Sequence, residues 1–489
     1  MKPETVVPLK FQSGIFYPNT FLGSNRFSFL NIQNSFLNID WNFAENGKLW
    51  TYNLNYFEFL NQEKITKEHG LKLIQDYISK KEILKDGLEP YPISLRGINW
   101  VKFLAQNEIK NEEINGCLFQ DYSRLSENLE YHLLANHLLE NGFSLLFGAH
   151  YFKNEAFYSK AKQIITSQLK EQILNDGAHY ELSPMYHQII LHRVLDCVNL
   201  VGENSWKGSE LEDFLKIKAE KMLGWLEEIS FKNGDIPKLN DAANGIAPNT
   251  KELNNYAESL GIKASRTELG DSSYRKFEIN NLEILMDVGQ IAPSYQPGHS
   301  HADSLQFLLT YNNKPIIVDT GISTYEKNER RQLERSTASH NTVTINDLNS
   351  SEVWGGFRVA NRAKVSIIRD EEDVIEARHN GYRKLGIEHQ RSFVLSSGAF
   401  EITDMLKGKT EDLLVVGHLH FHPGIQPEIL NDKIILGEEL QLKISGAKEI
   451  RIEDYQFAEA FNRLIPAKKI EYTFTNKAEL VFHAKSATE

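Results

Sequence analysis

The sequence predicts an α+β protein of two domains, in which an array of helical hairpins is followed by an antiparallel β domain. At 489 residues the chain is too long for one ordinary hydrophobic core. Apolar residues recur with helical spacing from about Asn55 to Leu260, whereas from Arg266 onward short runs rich in Val, Ile, Thr and Phe alternate with Asn, Asp and Gly. Polar residues at Gly261–Glu268 separate the two patterns, which predicts a helical domain over 1–264 and a β domain over 265–489.

The individual elements follow from the same two periodicities. One helix is predicted from Leu125 to Glu140, with a stop at Asn141-Gly142 because these residues favour the left-handed end of a helix. Further helices are predicted over 155–175, 183–201 and 209–230. Strands are predicted over 282–288, 305–311, 342–345, 364–368, 390–395, 413–421, 433–436 and 472–474. These strands indicate an antiparallel β-sandwich.

The amino-acid composition limits the kinds of molecule that this protein is expected to bind. The formal net charge of −12 argues against general nucleic-acid binding, but an anionic polymer could still bind where arginines and lysines gather locally. Two cysteines are too few for a disulfide framework. The N-terminal residues lack an apolar stretch of signal-peptide length and no window approaches a membrane span, so we expect a soluble protein whose localisation stays undetermined.

Four titratable residues of the β domain form the strongest candidate site. His299 and His301 are two apart at the start of an apolar run, so they share one face of an extended chain. Asp319 and His340 lie in β-branched runs and could arrive from neighbouring strands. His301, Asp319 and His340 would form a ligand set for a divalent metal, with His299 free for proton transfer. The alternative is a hydrogen-bonded polar cluster without a metal.

Two helical segments carry polar residues beyond packing needs. Asn136 lies four residues after His132, so both would share one helix face, and a buried amide must find partners. Ser183 and Pro184 read as the N-cap and first residue of a helix whose first turn holds Tyr186 and His187. The positive end of that helix dipole would favour an ionised phenolate at Tyr186. For Asn136, a role in capping a neighbouring helix is an equal alternative.

Arginines beside aromatic residues are candidates for binding an acidic sugar. Arg96 and Trp100 lie in one such segment, where a guanidinium could bind a carboxylate or sulfate while a ring stacks on the sugar. Arg358 follows Glu352 and Trp354 in a loop that could reach over a cleft, although a surface ion pair with Glu352 is the alternative. His418, His420 and His422 alternate along a strand without a carboxylate, which favours packing over metal binding.

An ordered series of these segments resembles the heparinase II/III group of polysaccharide lyases. The series runs from Trp50-Thr51-Tyr52 through Arg96–Trp100, Glu130–Gly142, Ser183–His187 and Gly298–Asp303 to Arg335–Val343. The resemblance implies an incomplete (α/α) toroid followed by an antiparallel β-sandwich, with a polysaccharide cleft between them. It also implies cleavage of a uronic-acid-containing polysaccharide by β-elimination, which leaves an unsaturated uronate.

The resemblance assigns roles to residues by position. Asn136 matches the residue that binds the uronate carboxylate, and Tyr186 and His299 match the acid/base pair, in which the base depends on the configuration of the uronate. His132, His187, Arg96, Trp100 and Arg358 are candidate substrate contacts. His301, Asp319 and His340 match positions that hold a structural zinc, manganese or calcium ion in some relatives, and no organic cofactor is implied.

Other functions stay open from the sequence. A glycoside hydrolase would need a pair of carboxylates, for which Glu181 and Asp241 are available. A non-catalytic carbohydrate-binding protein of bacterial surface-polysaccharide metabolism is the second alternative. Heparan sulfate, hyaluronan, chondroitin and alginate-like polymers all stay possible substrates, and the protein could be a monomer or a homodimer.

Overall fold

A computed structural model describes residues 3–279, 281–396, 398–437 and 440–484. The chain forms two compact units. The helical unit comprises Met1–Gly177, His187–Gly224 and Ala247–Arg266, and the β unit comprises Ala178–Tyr186, Trp225–Ile246 and Thr267–Glu489. The predicted order of helices first and strands afterwards is confirmed, while the division into domains at 264/265 stays a prediction.

Helices dominate the chain up to Ser259. They are α1 (Lys48–Tyr56), α2 (Lys67–Ser79), α3 (Pro90–Gln106), α4 (Glu112–Glu127), α5 (Ala135–Phe152), α6 (Glu155–Gln172), α7 (Pro184–Glu203), α8 (Glu210–Ile229) and α9 (Thr250–Ser259). A hairpin of β1 (Arg26–Phe29) and β2 (Ile32–Ser35) precedes them. Within the described residues, no helix is both long enough and apolar enough to cross a membrane.

The helix predicted over 125–140 is wrong in its bounds. α4 ends at Glu127, the chain turns, and α5 begins at Ala135 and continues beyond the predicted stop to Phe152. Gly142 serves close packing, not termination, because a Cβ there would lie 2.8 Å from the Ile164 side chain of α6. The Asn141 side chain bonds the backbone N–H and the carboxylate of Glu130 at 2.9 Å each, which holds the turn against α5. His132 lies in this turn and does not share a helix face with Asn136.

Among its described residues, the β unit contains three sheets of four or more strands. The largest has the order β10 (Val365–Asp370), β11 (Val374–His379), β12 (Glu388–Ser396), β13 (Ala399–Lys407), β20 (Lys477–Ala484), β17 (Leu440–Ser445), β16 (Lys433–Leu436) and β15 (Pro427–Leu430). A second has the order β18 (Glu449–Ala460), β19 (Arg463–Phe474), β14 (Val415–His420) and β7 (Val343–Ile345). The third has the order β3 (Tyr274–Ile279), β4 (Leu282–Asp287), β5 (Phe307–Tyr311) and β6 (Lys314–Ile317).

The three sheets pack around one apolar core. All strand pairs in them are antiparallel, as predicted, and alternate residues of β12 and β13 point inward because successive side chains of a strand face opposite sides. The core includes Ile284, Phe307, Leu309, Val343, Phe393, Phe400, Ile402, Leu419, Ile470, Leu480 and Phe482. A short hairpin of β8 (Glu352–Trp354) and β9 (Arg358–Ala360) and a helix α10 (Glu329–Glu334) complete the unit.

A buried ion pair crosses this core. Asp404 of β13 accepts two hydrogen bonds from the Arg391 guanidinium, at 2.7 and 2.9 Å, and a third from His389 at 2.7 Å. All three side chains have no exposed surface. Burial would raise the pKa of Asp404, but the charge of Arg391 and the hydrogen bonds hold that pKa below its usual range. The pair is therefore charged in the folded protein.

We expect Asp404→Asn to lower the free energy of unfolding by about 3–5 kcal/mol, because the substitution leaves the Arg391 charge without its counterion. Chemical denaturation followed by circular dichroism measures the change. The matched control is Asp432→Asn, which breaks an exposed pair with Lys443 and should cost about 1 kcal/mol or less. Equal costs for the two variants would contradict the prediction.

Candidate active site

Three loops of the β unit are joined by hydrogen bonds between backbone groups and between side chains and backbone groups. The backbone N–H of Asp241 donates to the carbonyl of His299 at 3.1 Å. The Asn240 side chain accepts from the backbone N–H of His301 at 3.0 Å and donates to the Leu182 carbonyl at 3.0 Å. The Ser183 hydroxyl donates to the Asp241 carbonyl at 2.9 Å. These bonds fix the segments around residues 182, 240 and 300 to one another.

The buried carboxylate of Asp241 lies at the centre of these loops. Oδ2 lies 2.8 Å from His299 Nδ1, and Oδ1 lies 2.9 Å from His301 Nε2. The Arg331 guanidinium donates to both oxygens, at 2.5 and 2.7 Å. Burial acts to raise the pKa of Asp241, but the Arg331 charge and the three hydrogen-bonding partners hold that pKa well below its usual range. Asp241 is therefore an ionised acceptor.

Three partly exposed rings, those of His299, Tyr186 and Tyr325, form a group next to this carboxylate. The rings of Tyr186 and His299 are 4.0 Å apart between centroids and inclined by 32°. The Tyr186 hydroxyl lies 3.2 Å from that of Tyr325. His299 Nε2 lies 3.8 Å from a carboxylate oxygen of Glu181. The sequence-predicted pair of a phenol and an imidazole is thus brought together at the surface of the β unit.

Ser183 and Pro184 start α7 as predicted, with the Tyr186 N–H donating to the Ser183 hydroxyl at 3.4 Å. The expectation that the helix dipole favours a phenolate is wrong. Burial, followed by the neighbouring Tyr325 and the carboxylates of Asp241 and Glu181, raises the pKa of Tyr186 well above its ordinary value of 10. The phenol therefore keeps its proton at neutral pH.

Arg331 also connects the carboxylate to the hairpin of β8 and β9. Its Nε donates to the carbonyl of Gly356 at 3.1 Å, and its guanidinium lies 5.3 Å from the centroid of the Phe357 ring. Arg358 and Trp354 are paired across this hairpin and exposed. Glu352 pairs with Lys384 at 2.8 Å, which leaves the guanidinium of Arg358 on an open surface.

The predicted metal ligands divide into two hydrogen-bonded pairs. His301 bonds Asp241, and His340 Nδ1 lies 2.8 Å from Asp319 Oδ2, while Asp319 Oδ1 accepts from the Gly321 N–H at 2.9 Å. The imidazole rings of His301 and His340 lie 5.3 Å apart, and His301 Nδ1 and His340 Nε2 are buried without hydrogen-bond partners.

The predicted ligands are residue types that bind metals, but they lie too far apart in this structure to hold one ion together. Imidazole nitrogens that lack a partner, with carboxylates behind their other nitrogens, are typical of metal-binding histidines. Among the residues that the structure describes, however, no three histidine, cysteine or acidic side chains lie close enough together to hold an ion. Buried carboxylates lie near the two histidines. Burial raises the pKa of one of them, Asp303, to about 6, with a further contribution from the Asp319 charge and against the opposing charge of His340.

Two family models match the chain in succession. The model described as "Heparinase II/III N-terminus" matches residues 95–268, and the one described as "Heparinase II/III-like, C-terminal" matches residues 262–485. The chain belongs to the heparinase II/III family.

Individual relatives of this family member are distant in sequence. A heparin-sulfate lyase of Bacteroides stercoris is 23% identical over 321 residues, which cover 60% of this chain and 46% of the relative. A heparin-sulfate lyase of Bacteroides thetaiotaomicron is 22% identical over 306 residues, which cover 53% of this chain and 42% of the relative. The matched region therefore spans slightly under half the length of these two relatives.

The fold of the family is confirmed by a solved structure. The crystal structure of a heparinase III superposes with a TM-score of 0.69 at 14% identity, covering 91% of this chain and 79% of that one. The fold predicted from the sequence, a helical toroid followed by an antiparallel β-sandwich, is therefore correct. At this level of identity the likeness concerns the fold alone.

Asn136, a predicted catalytic residue, lies in the helical unit, in the first turn of α5. It is buried, with 2% of its surface exposed. The two residues before it have left-handed backbone conformations, with φ of 56° at Leu134 and 51° at Ala135. Leu182 (φ 53°) and Asn240 (φ 55°) have the same sign of φ immediately before Ser183 and Asp241. Such conformations are costly for residues other than glycine and cluster at functional sites.

Three of the predicted substrate contacts are core residues of the helical unit. Arg96 is fully buried and donates to Asp121 at 2.9 and 3.2 Å and to the Gly87 carbonyl at 2.9 Å. Trp100 is fully buried against Phe57 and Tyr77. His187 is buried with Nε2 at 2.9 Å from the Met222 carbonyl, and burial lowers its pKa to about 4.

These positions correct the predictions of direct sugar contact for Arg96, Trp100 and His187. The polar groups of Arg96 and His187 bond other protein atoms, and Trp100 has no exposed surface. His132 and Arg358 are exposed and remain candidates.

Three residues of the candidate site were not recognised from the sequence. Arg331 and Tyr325 were not candidates at all, and Asp241 was considered only as half of a hydrolase pair. Asp241 and Arg331 are 90 residues apart in the chain, and no local spacing connects them. Asp241 is committed to two imidazoles and a guanidinium, so it cannot serve as the acid of a hydrolase.

Proposed function

We propose that this protein is a polysaccharide lyase that cleaves a uronic-acid-containing glycosaminoglycan by β-elimination. The observation that carries the proposal is the contact of Tyr186 with His299, two partly exposed proton-transfer groups whose rings lie 4.0 Å apart. The names of the relatives in Bacteroides support heparin or heparan sulfate as the first substrates to test. The products would be oligosaccharides that end in an unsaturated uronate.

The reaction needs a base, an acid and a group that binds the carboxylate. The base removes the C5 proton, the C5–H electron pair forms the C4–C5 double bond, and the C4–O4 bond breaks. The acid then protonates O4 of the departing sugar, so that no water is consumed. Because the C5 proton is only weakly acidic, the charge that develops on the neighbouring carboxylate must be stabilised.

His299 is suited to act as the base. Its Nδ1 bonds Asp241 and its Nε2 lies on the side of Glu181, 3.8 Å from the carboxylate. A proton taken up at Nε2 would lie on the side of Glu181, while Nδ1 keeps its hydrogen bond to Asp241.

Tyr186 is suited to act as the acid. The phenol keeps its proton at rest because its pKa is raised by burial and by nearby negative groups. After it donates that proton to O4, the hydroxyl of Tyr325 at 3.2 Å can donate a hydrogen bond to the phenolate. Proton removal from C5 and proton donation to O4 are thus assigned to two different side chains, His299 and Tyr186, whose rings are in contact.

Asn136 is proposed to bind the uronate carboxylate, as its position in the family series implies. Its amide lies at the start of α5, where the N–H groups of the first turn and the helix dipole favour a negative ligand. His132 and Arg358 are proposed as further contacts to the anionic polymer, since both are exposed.

The proposal is tested by incubating the protein with heparin, heparan sulfate, hyaluronan, chondroitin sulfate and alginate. Formation of the unsaturated uronate raises ultraviolet absorbance, and product masses are those of cleavage without added water. Saturated products heavier by one water would instead indicate a hydrolase. Binding without any product would indicate a carbohydrate-binding protein.

We expect Tyr186→Phe to lower kcat by about 10²–10⁴-fold and to change KM by no more than a few-fold, because the substitution removes only the proton donor. Steady-state kinetics on the preferred polymer measures both constants. Tyr311→Phe, a matched change in strand β5, should retain wild-type kinetics. Near-normal turnover in Tyr186→Phe would remove this residue from the mechanism.

We expect Asn136→Ala to lower kcat by about 10²–10³-fold with a smaller change in KM, as for the loss of a donor that stabilises charge in the transition state. Asn107→Ala, at the end of α3, is the control for loss of a helix-terminal amide. If Asn136→Ala unfolds while Asn107→Ala does not, Asn136 is a packing or capping residue.

We further propose that His301, Asp319 and His340 hold a structural divalent ion once their side chains move together, since in the arrangement described above they lie too far apart to share one. The two unpartnered imidazole nitrogens support this proposal, and each Asp319 oxygen keeps a lone pair beyond its present hydrogen bond. Such an ion would brace the loops beneath His299 and carry no step of the reaction.

We expect Asp319→Ala to lose bound metal and to melt at a lower temperature, because an ion bound only by the folded state adds about 2.7 kcal/mol when its free concentration is 100 times Kd. Elemental analysis and thermal melts measure the two effects. His299→Ala should lose activity but keep both metal and melting temperature. A metal-free wild type, together with normal melting of Asp319→Ala, would disprove the metal site and leave the lyase proposal intact.

A further inference from the structure

We propose that Asp241 is a positioning residue that fixes the tautomer and the ring orientation of His299, so that Nε2 presents its lone pair to the substrate. This inference rests on the proposed function, in which His299 is the base. It assigns to Asp241 a role that acts through His299 and involves no contact with the sugar.

The first step of the argument is the chemistry of the carboxylate. Arg331 donates to both oxygens of Asp241, and an ionised carboxylate can only accept hydrogen bonds. The nitrogen of His299 that faces it, Nδ1 at 2.8 Å, must therefore carry the proton. In the neutral ring the lone pair is then on Nε2, the nitrogen that a base needs free.

The second step is that the carboxylate cannot move. Its side chain is fully buried, its backbone N–H bonds the His299 carbonyl at 3.1 Å, and its backbone carbonyl accepts from the Ser183 hydroxyl at 2.9 Å. His301 and Arg331 occupy the remaining directions around the oxygens. The position of His299 Nδ1 is therefore set by a group that is itself held from four sides.

The third step concerns the ring of His299. The hydrogen bond to Asp241 restrains the imidazole at Nδ1, while the rings of Tyr186 and Phe357 lie 4.0 and 6.1 Å away. Without the bond, the ring could flip about its Cβ–Cγ bond, which would displace Nε2, or adopt the other tautomer, in which Nε2 carries the proton. The imidazole in that state cannot accept the C5 proton.

The test combines kinetics with nitrogen NMR of the full-length protein. Asp241→Asn presents one acceptor oxygen to two imidazoles and a guanidinium, so we expect the His299 tautomer to change and kcat to fall by about 10²–10⁴-fold, with KM within a few-fold. ¹⁵N-histidine labelling at pH 8 reports the tautomer, since protonated and unprotonated ring nitrogens have well-separated shifts. The His299 signals are assigned by their absence in His299→Ala.

The matched control is Asp404→Asn. Asp404 is also a fully buried carboxylate that accepts from one histidine and from both arms of an arginine. Its substitution should cost similar stability but leave the His299 signals and kcat unchanged. If Asp241→Asn does not fold, Asp241→Leu combined with Arg331→Met removes both charges together, which buried ion pairs often tolerate, and the same two measurements are made.

Each outcome decides the proposal. A changed His299 tautomer with a large loss of kcat supports it. A large loss of kcat with an unchanged tautomer, or a changed tautomer with unchanged kcat, overturns it. If the wild type forms no unsaturated product on any polymer, the proposed function fails, but the NMR comparison still shows whether Asp241 sets the state of His299.

Discussion

The organisation of the site follows from one constraint, the burial of a negative charge at Asp241. An isolated carboxylate in a protein interior is so costly that it must be surrounded by donors or lose its charge. Here Arg331 supplies donors from one segment of the β unit, and His299 and His301 supply them from another. The need to satisfy one carboxylate thus brings together loops that no strand pairing would join. The partly exposed His299 bonds this carboxylate directly, and Tyr186 is connected to it through the Ser183 hydroxyl, which bonds the Asp241 carbonyl.

A second buried carboxylate, Asp404, shows how a candidate active site differs from a hydrogen-bonded cluster that only stabilises the fold. Asp404 has the same kinds of partner as Asp241, a histidine and a bidentate arginine. The histidine of Asp404 is wholly buried and bonds a further buried histidine, His379, at 3.0 Å. Of the two histidines that bond Asp241, His299 is partly exposed and its ring lies against the phenol of Tyr186. The chemistry of the two clusters is alike, and their difference lies in whether a substrate can touch the imidazole.

The sequence predicted those features that depend on local pattern. Helical and alternating periodicities separated the helical region from the β region and located elements such as α6, α8, β4 and β12. Ser183 with Pro184 located the start of α7 and thus Tyr186. The break before α5 was missed because it depends on Asn141 bonding Glu130 across the turn, and the glycine that suggested a helix end serves close packing instead. Arg96 was misjudged because its partner Asp121 is supplied by a different helix. Likewise, 58 residues separate Asp241 from His299, so only the folded chain reveals their contact.

The left-handed residues before Asn136, Ser183 and Asp241 have a consequence for protein engineering. Each holds conformational energy of the order of 1–3 kcal/mol in the native state, so glycine at Leu134 or Leu182 would remove a steric penalty in the folded chain while adding freedom to the unfolded one. Screens for heat-resistant variants will therefore find gains near the very residues proposed for catalysis. Such substitutions would give the backbone more freedom beside the proposed catalytic side chains, whose positions depend on it. Selection for stability alone would therefore favour variants that are more stable but less active in the proposed reaction.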